Sequence, residues 1–141
     1  MIILDTNVVS EPMTSGGNPA VRIWLDQQVA ETLFLTAVNL SELLLGIKIL
    51  PQGKRQLALA ATLGDQIRSP FGPRILPFDA RAADAYASLG ARSREAGRAI
   101  SVVDGQIAPI ALVHGFAVAT RHMGPFVAAG LAAINPWHTP P

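Results

Sequence analysis

The chain has 141 residues, a size suited to one domain with one core. Half of its residues are hydrophobic and 15% are charged, a balance that excludes a disordered chain. A formal net charge of +1 excludes bulk basic attraction to nucleic acid, leaving only local clusters of Lys and Arg for that role.

There is no cysteine, so disulfides, thiolate metal sites and a cysteine nucleophile are excluded. The opening Met1-Ile2-Ile3-Leu4-Asp5 has no basic segment and no long apolar run of the signal-peptide kind. Apolar stretches elsewhere are interrupted by charge, Gly or Pro well short of a bilayer span. A soluble, cytoplasmic protein with no membrane contact is the expectation.

In chain order, residues 2–4 are a short apolar run closed by Asp5, the pattern of a buried parallel strand. Asp5-Thr6-Asn7 has the capping side chains of a strand-to-helix turn. Pro12 and residues 15–19 predict a loop, and Val21, Trp24, Leu25 and Val29 have helical spacing over 20–29. Leu33 to Thr36 predicts a second strand. Residues 37–50, apolar nearly all round, predict a buried helix stopped by Pro51. A further helix is expected over 55–68 and a strand over 74–77. Asp79 caps a long Ala-rich helix that Gly97 closes. Ser101 opens a helix ending at His114 and Gly115, followed by strands at 116–120 and 132–134. Residues 138–141 are expected to form a flexible tail.

Strands alternating with helices predict an α/β fold with a central parallel sheet and helices on both faces. Sites in such sheets lie beyond the carboxyl ends of the strands, where Asp5 and Thr120 fall. Acidic residues are few, and three stand out. Asp5 is either the N-cap of the next helix or a site carboxylate. Glu42 has no basic residue three or four positions away, so it is either an edge residue facing water or a carboxylate held near a cation. Asp104 stands three residues after Ser101, the spacing of a capping box. If these acids converge, their repulsion calls for a hard cation between them, and Mg²⁺ and Mn²⁺ prefer such oxygen donors.

The segments Ile3-Leu4-Asp5-Thr6-Asn7-Val8-Val9-Ser10-Glu11-Pro12, Thr36 to Leu43, Arg74 to Asp79, Asp104-Gly105-Gln106-Ile107-Ala108, Ala119-Thr120-Arg121 and Asn135-Pro136-Trp137-His138 resemble, in order, the blocks of PIN-domain toxins of the VapC and FitB kind. The Asp-Gly pair and the final Asn-Pro-Trp-His are most similar to the FitB branch. The resemblance spans nearly the whole chain and implies a single three-layer α/β/α PIN domain over residues 1–141. It implies a divalent-metal-dependent endoribonuclease, with Asp5, Glu42 and Asp104 as the catalytic acids and the ligands of Mg²⁺ or Mn²⁺. It also implies a homodimer, an RNA substrate, and a small antitoxin that binds operator DNA and covers the site.

One departure matters. Where the family carries a fourth acid, this chain has His122 or Pro125. His122 is either a fourth ligand, favouring softer metals than Mg²⁺, or a solvated loop residue. Thr6, Asn7 and Thr120 are candidates to orient the acids or bound waters, and Arg121 to hold an RNA phosphate. Arg92, Arg94 and Arg98 either answer the dipole at a helix end or line an RNA path. Trp24 and Trp137 are expected in core or dimer contacts. A competing function, motivated by His122, is a catalytically weak PIN domain acting mainly as an antitoxin-binding corepressor module. A flavodoxin-like receiver or ligand-binding domain carries less weight, for want of a Gly-rich phosphate loop and a suitably placed Lys.

Overall fold

The computed structural model describes residues 1–138. Five strands, β1 (Ile2–Leu4), β2 (Leu33–Thr36), β3 (Ile75–Leu76), β4 (Ala117–Ala119) and β5 (Ala133–Ile134), form one sheet in the order β3-β2-β1-β4-β5. Every neighbouring pair is parallel. The chain winds outward from β1 through β2 to β3, then crosses back to place β4 on the other side of β1. The strand order therefore reverses between β1 and β4, the switch point at which open parallel sheets leave a crevice.

The helices are α1 (Thr6–Ser10), α2 (Pro19–Asp26), α3 (Ala37–Lys48), α4 (Lys54–Thr62), the short α5 (Ser69–Phe71), α6 (Ala80–Glu95), α7 (Asp104–His114) and α8 (Gly124–Ala128). A π-helical stretch, Leu63–Arg68, joins α4 to α5.

Alternation along the strands divides the core in two. Leu4, Leu33, Leu35 and Ala119 face one side and pack with Val8, Val9, Val21, Trp24, Leu43, Leu63 and Phe71 of α1, α2, α3, the π-helical stretch and α5. Ile3, Leu76 and Val118 face the other and pack with Ala82, Leu89, Ile107, Ile110, Ala111 and Phe126 of α6, α7 and α8. Helices on both faces of a parallel sheet make the expected three-layer α/β sandwich. Ile3, Leu35 and Val118 are fully buried, and each side chain of this kind contributes roughly 1.5–3 kcal/mol on burial.

The terminations follow local chemistry. Asp79 accepts from the Ala82 backbone N–H and starts α6. Gly115, in the left-handed region at φ 68, ends α7, a conformation that glycine adopts without side-chain strain. Three expectations need correction. α3 is apolar all round but not buried: Leu45 is 61% exposed, and Ile49, just past its end, 74%, because only one side of it faces the core. α2 ends at Asp26, and Val29 is exposed beyond it. His138 belongs to a 3₁₀ turn, Pro136–His138, rather than to a tail; residues 139–141 lie outside the described ones. Trp24 is a core residue, and Trp137 packs partly buried against the same cluster.

Candidate active site

The parallel register sets Leu4 opposite Ala119. The next residue on each strand, Asp5 and Thr120, therefore meet at the carboxyl edge of the sheet, on either side of the switch point. Both are buried. The Asp5 backbone N–H donates to the Ala119 carbonyl at 2.9 Å, locking the strand end in place. The Thr120 hydroxyl donates to Asp5 Oδ2 at 2.8 Å, and the His122 backbone N–H donates to the same hydroxyl oxygen at 3.1 Å. Asp5 Oδ1 accepts from the Thr6 backbone N–H at 2.8 Å. Asp5 thus does cap α1, one of its two readings from sequence, while its second oxygen is held by a residue of another strand.

Glu42 is reached through Thr6. The Thr6 hydroxyl donates to Glu42 Oε1 at 2.6 Å and accepts from Asn39 Nδ2 at 3.1 Å. Asn39 and Thr36, both fully buried, close a capping box at the start of α3. Asn39 Oδ1 accepts from the Thr36 hydroxyl at 2.6 Å and from its backbone N–H at 3.1 Å. The Asn39 backbone N–H in turn donates to Thr36 Oγ1 at 3.0 Å. The amide, anchored at the end of β2, fixes the hydroxyl that fixes the carboxylate. Sequence reasoning misses Thr36 and Asn39 as site residues, although the Thr36-x-x-Asn39 spacing is itself a signal for a buried capping box.

Asp104 opens α7. Its backbone N–H donates to Ser101 Oγ at 3.1 Å, one half of a capping box. Its carboxylate does not complete the other half, and accepts no hydrogen bond among the described residues. That charge reaches Asp5 instead. Burial pushes the Asp5 carboxyl above its ordinary value of 3.8, the Thr120 hydroxyl and the Thr6 amide pull it down, the Asp104 charge raises it, and His122 lowers it. His122 is exposed and lies on the same edge. Among the described residues, no Lys or Arg forms an ion pair with Asp5, Glu42 or Asp104.

The other expected residues divide. The Asn7 side chain is exposed and makes no hydrogen bond to the acids. The Arg121 guanidinium lies 5.2 Å over the Trp137 ring, a cation–π contact that holds it against the indole. A hollow of about 530 Å³ lies beside Glu42, with Thr6 and Glu42 in its lining and Met13, Leu43, Ile47 and Leu59 among its walls.

Whether these residues suit a divalent ion can be judged from their donors. All three acids offer hard oxygen atoms, and Asp5 and Asp104 repel each other with no cationic side chain paired to either. Such a set favours Mg²⁺ or Mn²⁺ over softer metals. Among the described residues, however, no three His, Asp or Glu side chains are gathered closely enough to share an ion. Asp5 is in electrostatic contact with Asp104 and His122, and Glu42 stands across Thr6 from them. The donor chemistry fits; the ligand set is not closed onto one point.

A parallel α/β sandwich with a buried acid at its switch point defines the architecture, and comparison with known proteins gives the family. Residues 2–122 match the PIN domain model, and the chain belongs to that family. It is 44% identical to the VapC ribonuclease Y4jK of Sinorhizobium fredii over 137 residues, covering 97% of this chain and 98% of that one. It is 43% identical to Toxin FitB of Neisseria gonorrhoeae over 138 residues, covering 98% and 99%. The crystal structure of FitAcB from Neisseria gonorrhoeae superposes with a TM-score of 0.95 at 42% identity, covering 99% of this chain and all of that one. The expected FitB resemblance and the three-layer fold are both borne out. No helix among the described residues is long and apolar enough to cross a membrane.

Proposed function

We propose that this chain is the toxin of a toxin–antitoxin pair and a Mg²⁺- or Mn²⁺-dependent endoribonuclease that hydrolyses RNA phosphodiester bonds in the cytoplasm. The observation that carries the reading is Asp5: a buried carboxylate at the switch point, oriented by Thr120 and repelled by Asp104, with no cationic side chain paired to it. The ribonuclease and toxin relatives support the substrate class.

On this reading Asp5, Glu42 and Asp104 hold the ion, with His122 in the place of a fourth acid. A divalent cation there supplies acidification of the attacking water and offsets the charge that builds on the phosphate. Thr120 and Thr6 hold Asp5 and Glu42 in the rotamers that present their free lone pairs. Burial of Asp5 strengthens its electrostatic interactions. The hollow beside Thr6 and Glu42 suits an apolar segment of a small DNA-binding antitoxin, which would cover the acids and carry the complex to operator DNA. A solved FitAB complex with a DNA fragment supports such a partner. A homodimer completes the proposal.

The reading is tested by incubating purified antitoxin-free protein with unstructured RNA. Cleavage with Mg²⁺ or Mn²⁺, its loss with EDTA and its loss in Asp5→Asn are expected. Asp5→Asn cutting as fast as wild type would remove the site assignment. If the wild-type protein binds antitoxin but neither cuts RNA nor takes up Mn²⁺, the chain is an antitoxin-binding corepressor module.

A further inference from the structure

The edge of the domain beyond Asp104 carries a feature that the acids do not use. A cavity of about 490 Å³ lies between the end of α6 and the start of α8. Leu89, Ile100, Pro125 and Ala128 give it an apolar wall, and Arg92 and Arg98 line it as well. None of the three acids lines it, but its walls lead to Asp104 by one packing contact and to His122 by sequence. Ile100 packs on Gly105, the residue after Asp104: a Cβ placed there would lie 3.6 Å from Ile100 Cγ2. Gly124 and Pro125 follow shortly after His122.

Arginines at a helix C-terminus ordinarily answer the dipole or cap free carbonyls. Here three of the last carbonyls are already taken. Those of Arg92, Ser93 and Arg94 accept from the backbone N–H groups of Ala96 at 3.0 Å, Arg98 at 2.8 Å and Gly97 at 3.1 Å. Gly97, at φ 66, makes this closed turn. Among the described residues neither Arg92 nor Arg98 has a hydrogen bond or ion pair from its guanidinium, and no Asp or Glu lines the cavity. Arg92, Arg98 and the neighbouring Glu95 are all exposed, and the lining itself carries the two guanidinium charges and no carboxylate.

A planar fork of donors matches a phosphate, and an apolar wall beside it matches a base. We propose that this cavity is a subsite for one unpaired RNA nucleotide flanking the scissile phosphate, with Arg92 and Arg98 on its phosphate and Leu89, Ile100, Pro125 and Ala128 against its base. The proposal rests on the ribonuclease reading above, and adds the surface by which the substrate is held. The cavity volume falls within the ordinary range for small-ligand sites, roughly 300–1,000 Å³.

The test measures anisotropy of a fluorescein-labelled, unstructured oligoribonucleotide bound to full-length Asp5→Asn protein, which keeps the RNA intact. In that background, Arg92→Ala with Arg98→Ala should weaken binding about tenfold or more, and flatten the plot of log affinity against log salt by about 0.7 for each phosphate no longer neutralised. Ala128→Trp, which fills the cavity and keeps both charges, should weaken binding with little change in that slope. Arg22→Ala on α2 should change neither. Thermal melts of each variant confirm folding. Affinity and slope within twofold of the parent in the double variant would overturn the subsite while leaving wild-type cleavage, and hence the nuclease reading, intact. Normal RNA binding with loss of antitoxin binding would reassign the cavity to a protein contact and overturn it too. A wild-type protein that neither cuts nor binds RNA removes the nuclease reading, and the subsite falls with it.

Discussion

The Thr120 hydroxyl donates to Asp5 Oδ2 at 2.8 Å across 115 residues of sequence, tying the end of β4 to the end of β1. The same oxygen accepts from the His122 backbone N–H, so its proton is directed at the carboxylate. Thr120→Val keeps the shape and removes the donor. Activity and Mn²⁺ affinity should fall about 10–100-fold, the usual effect of losing a group that orients a ligand, with Thr120→Ser recovering most of both. The pH at which Mn²⁺ binding reaches half its plateau should also move up in the Val variant, because a group that lowers the Asp5 pKa has gone. An unmoved midpoint would make Thr120 a packing residue only.

Asp5 is a stability liability in the metal-free protein. Its folded pKa is raised by burial above the ordinary 3.8, and Asp104 adds to the rise. The folded state therefore holds this proton more tightly than the unfolded chain, and stability falls as pH rises from 3.8 through the raised value. The loss is complete once the pH is above the raised value. Asp5→Asn removes the charge, and the Thr120 hydroxyl can turn to accept from the new amide. The variant should melt higher than wild type at pH 7 in EDTA, by about 2 °C or more, with the gap closing near pH 4. Saturating Mn²⁺ should raise the wild-type melting temperature more than the variant's. A lower melting temperature for the variant at pH 7 would show that the hydrogen bonds outweigh the desolvated charge.

Thr6 links two groups, since its hydroxyl donates to Glu42 and accepts from the buried Asn39 amide. Thr6→Val should lower unfolding free energy by about 1–3 kcal/mol, because the Asn39 amide is left without that partner, and should reduce cleavage by freeing Glu42. Thr6→Ser should restore both quantities. Glu42→Gln separates the two roles, because its carbonyl still accepts from Thr6 while the charge is lost. Denaturant melts and cleavage assays on the three variants check the pattern.

Much of this site is legible from residue order. Asp5 and Thr120 each follow a short aliphatic strand, and a parallel sheet brings such positions to one edge, so their meeting follows from topology. Glu42 and Asp104 are ambiguous in sequence because their local patterns have ordinary explanations. Only tertiary structure shows that Glu42 accepts from Thr6 and that Asp104 leaves its capping box half made. The exposure of Leu45 and Ile49 is hidden for the same reason: apolarity says a side chain can be buried, and the neighbouring elements decide whether it is. Asn39 escapes notice because its value lies in a partner 33 residues away, a separation no local pattern encodes.

His122 stands where the family's fourth acid is expected, exposed and near enough to Asp5 to lower its pKa. His122→Asp adds a hard oxygen donor and a negative charge there. Mg²⁺ affinity should rise about tenfold and the preference for Mn²⁺ over Mg²⁺ should narrow. Calorimetry with both ions checks this, and an unchanged ratio would place His122 outside the ion's reach.

Everything proposed for this site depends on Asp5, Glu42 and Asp104 acting together on one divalent ion. Calorimetric titration of Mn²⁺ into antitoxin-free protein at neutral pH, comparing wild type with Asp104→Asn, addresses that point. Asp104 is the informative choice, because its carboxylate accepts no hydrogen bond among the described residues and its removal leaves the fold's network whole. Saturable binding by wild type should weaken about tenfold or more in the variant. Equal binding by both, or none by wild type, would mean that the three acids do not share an ion.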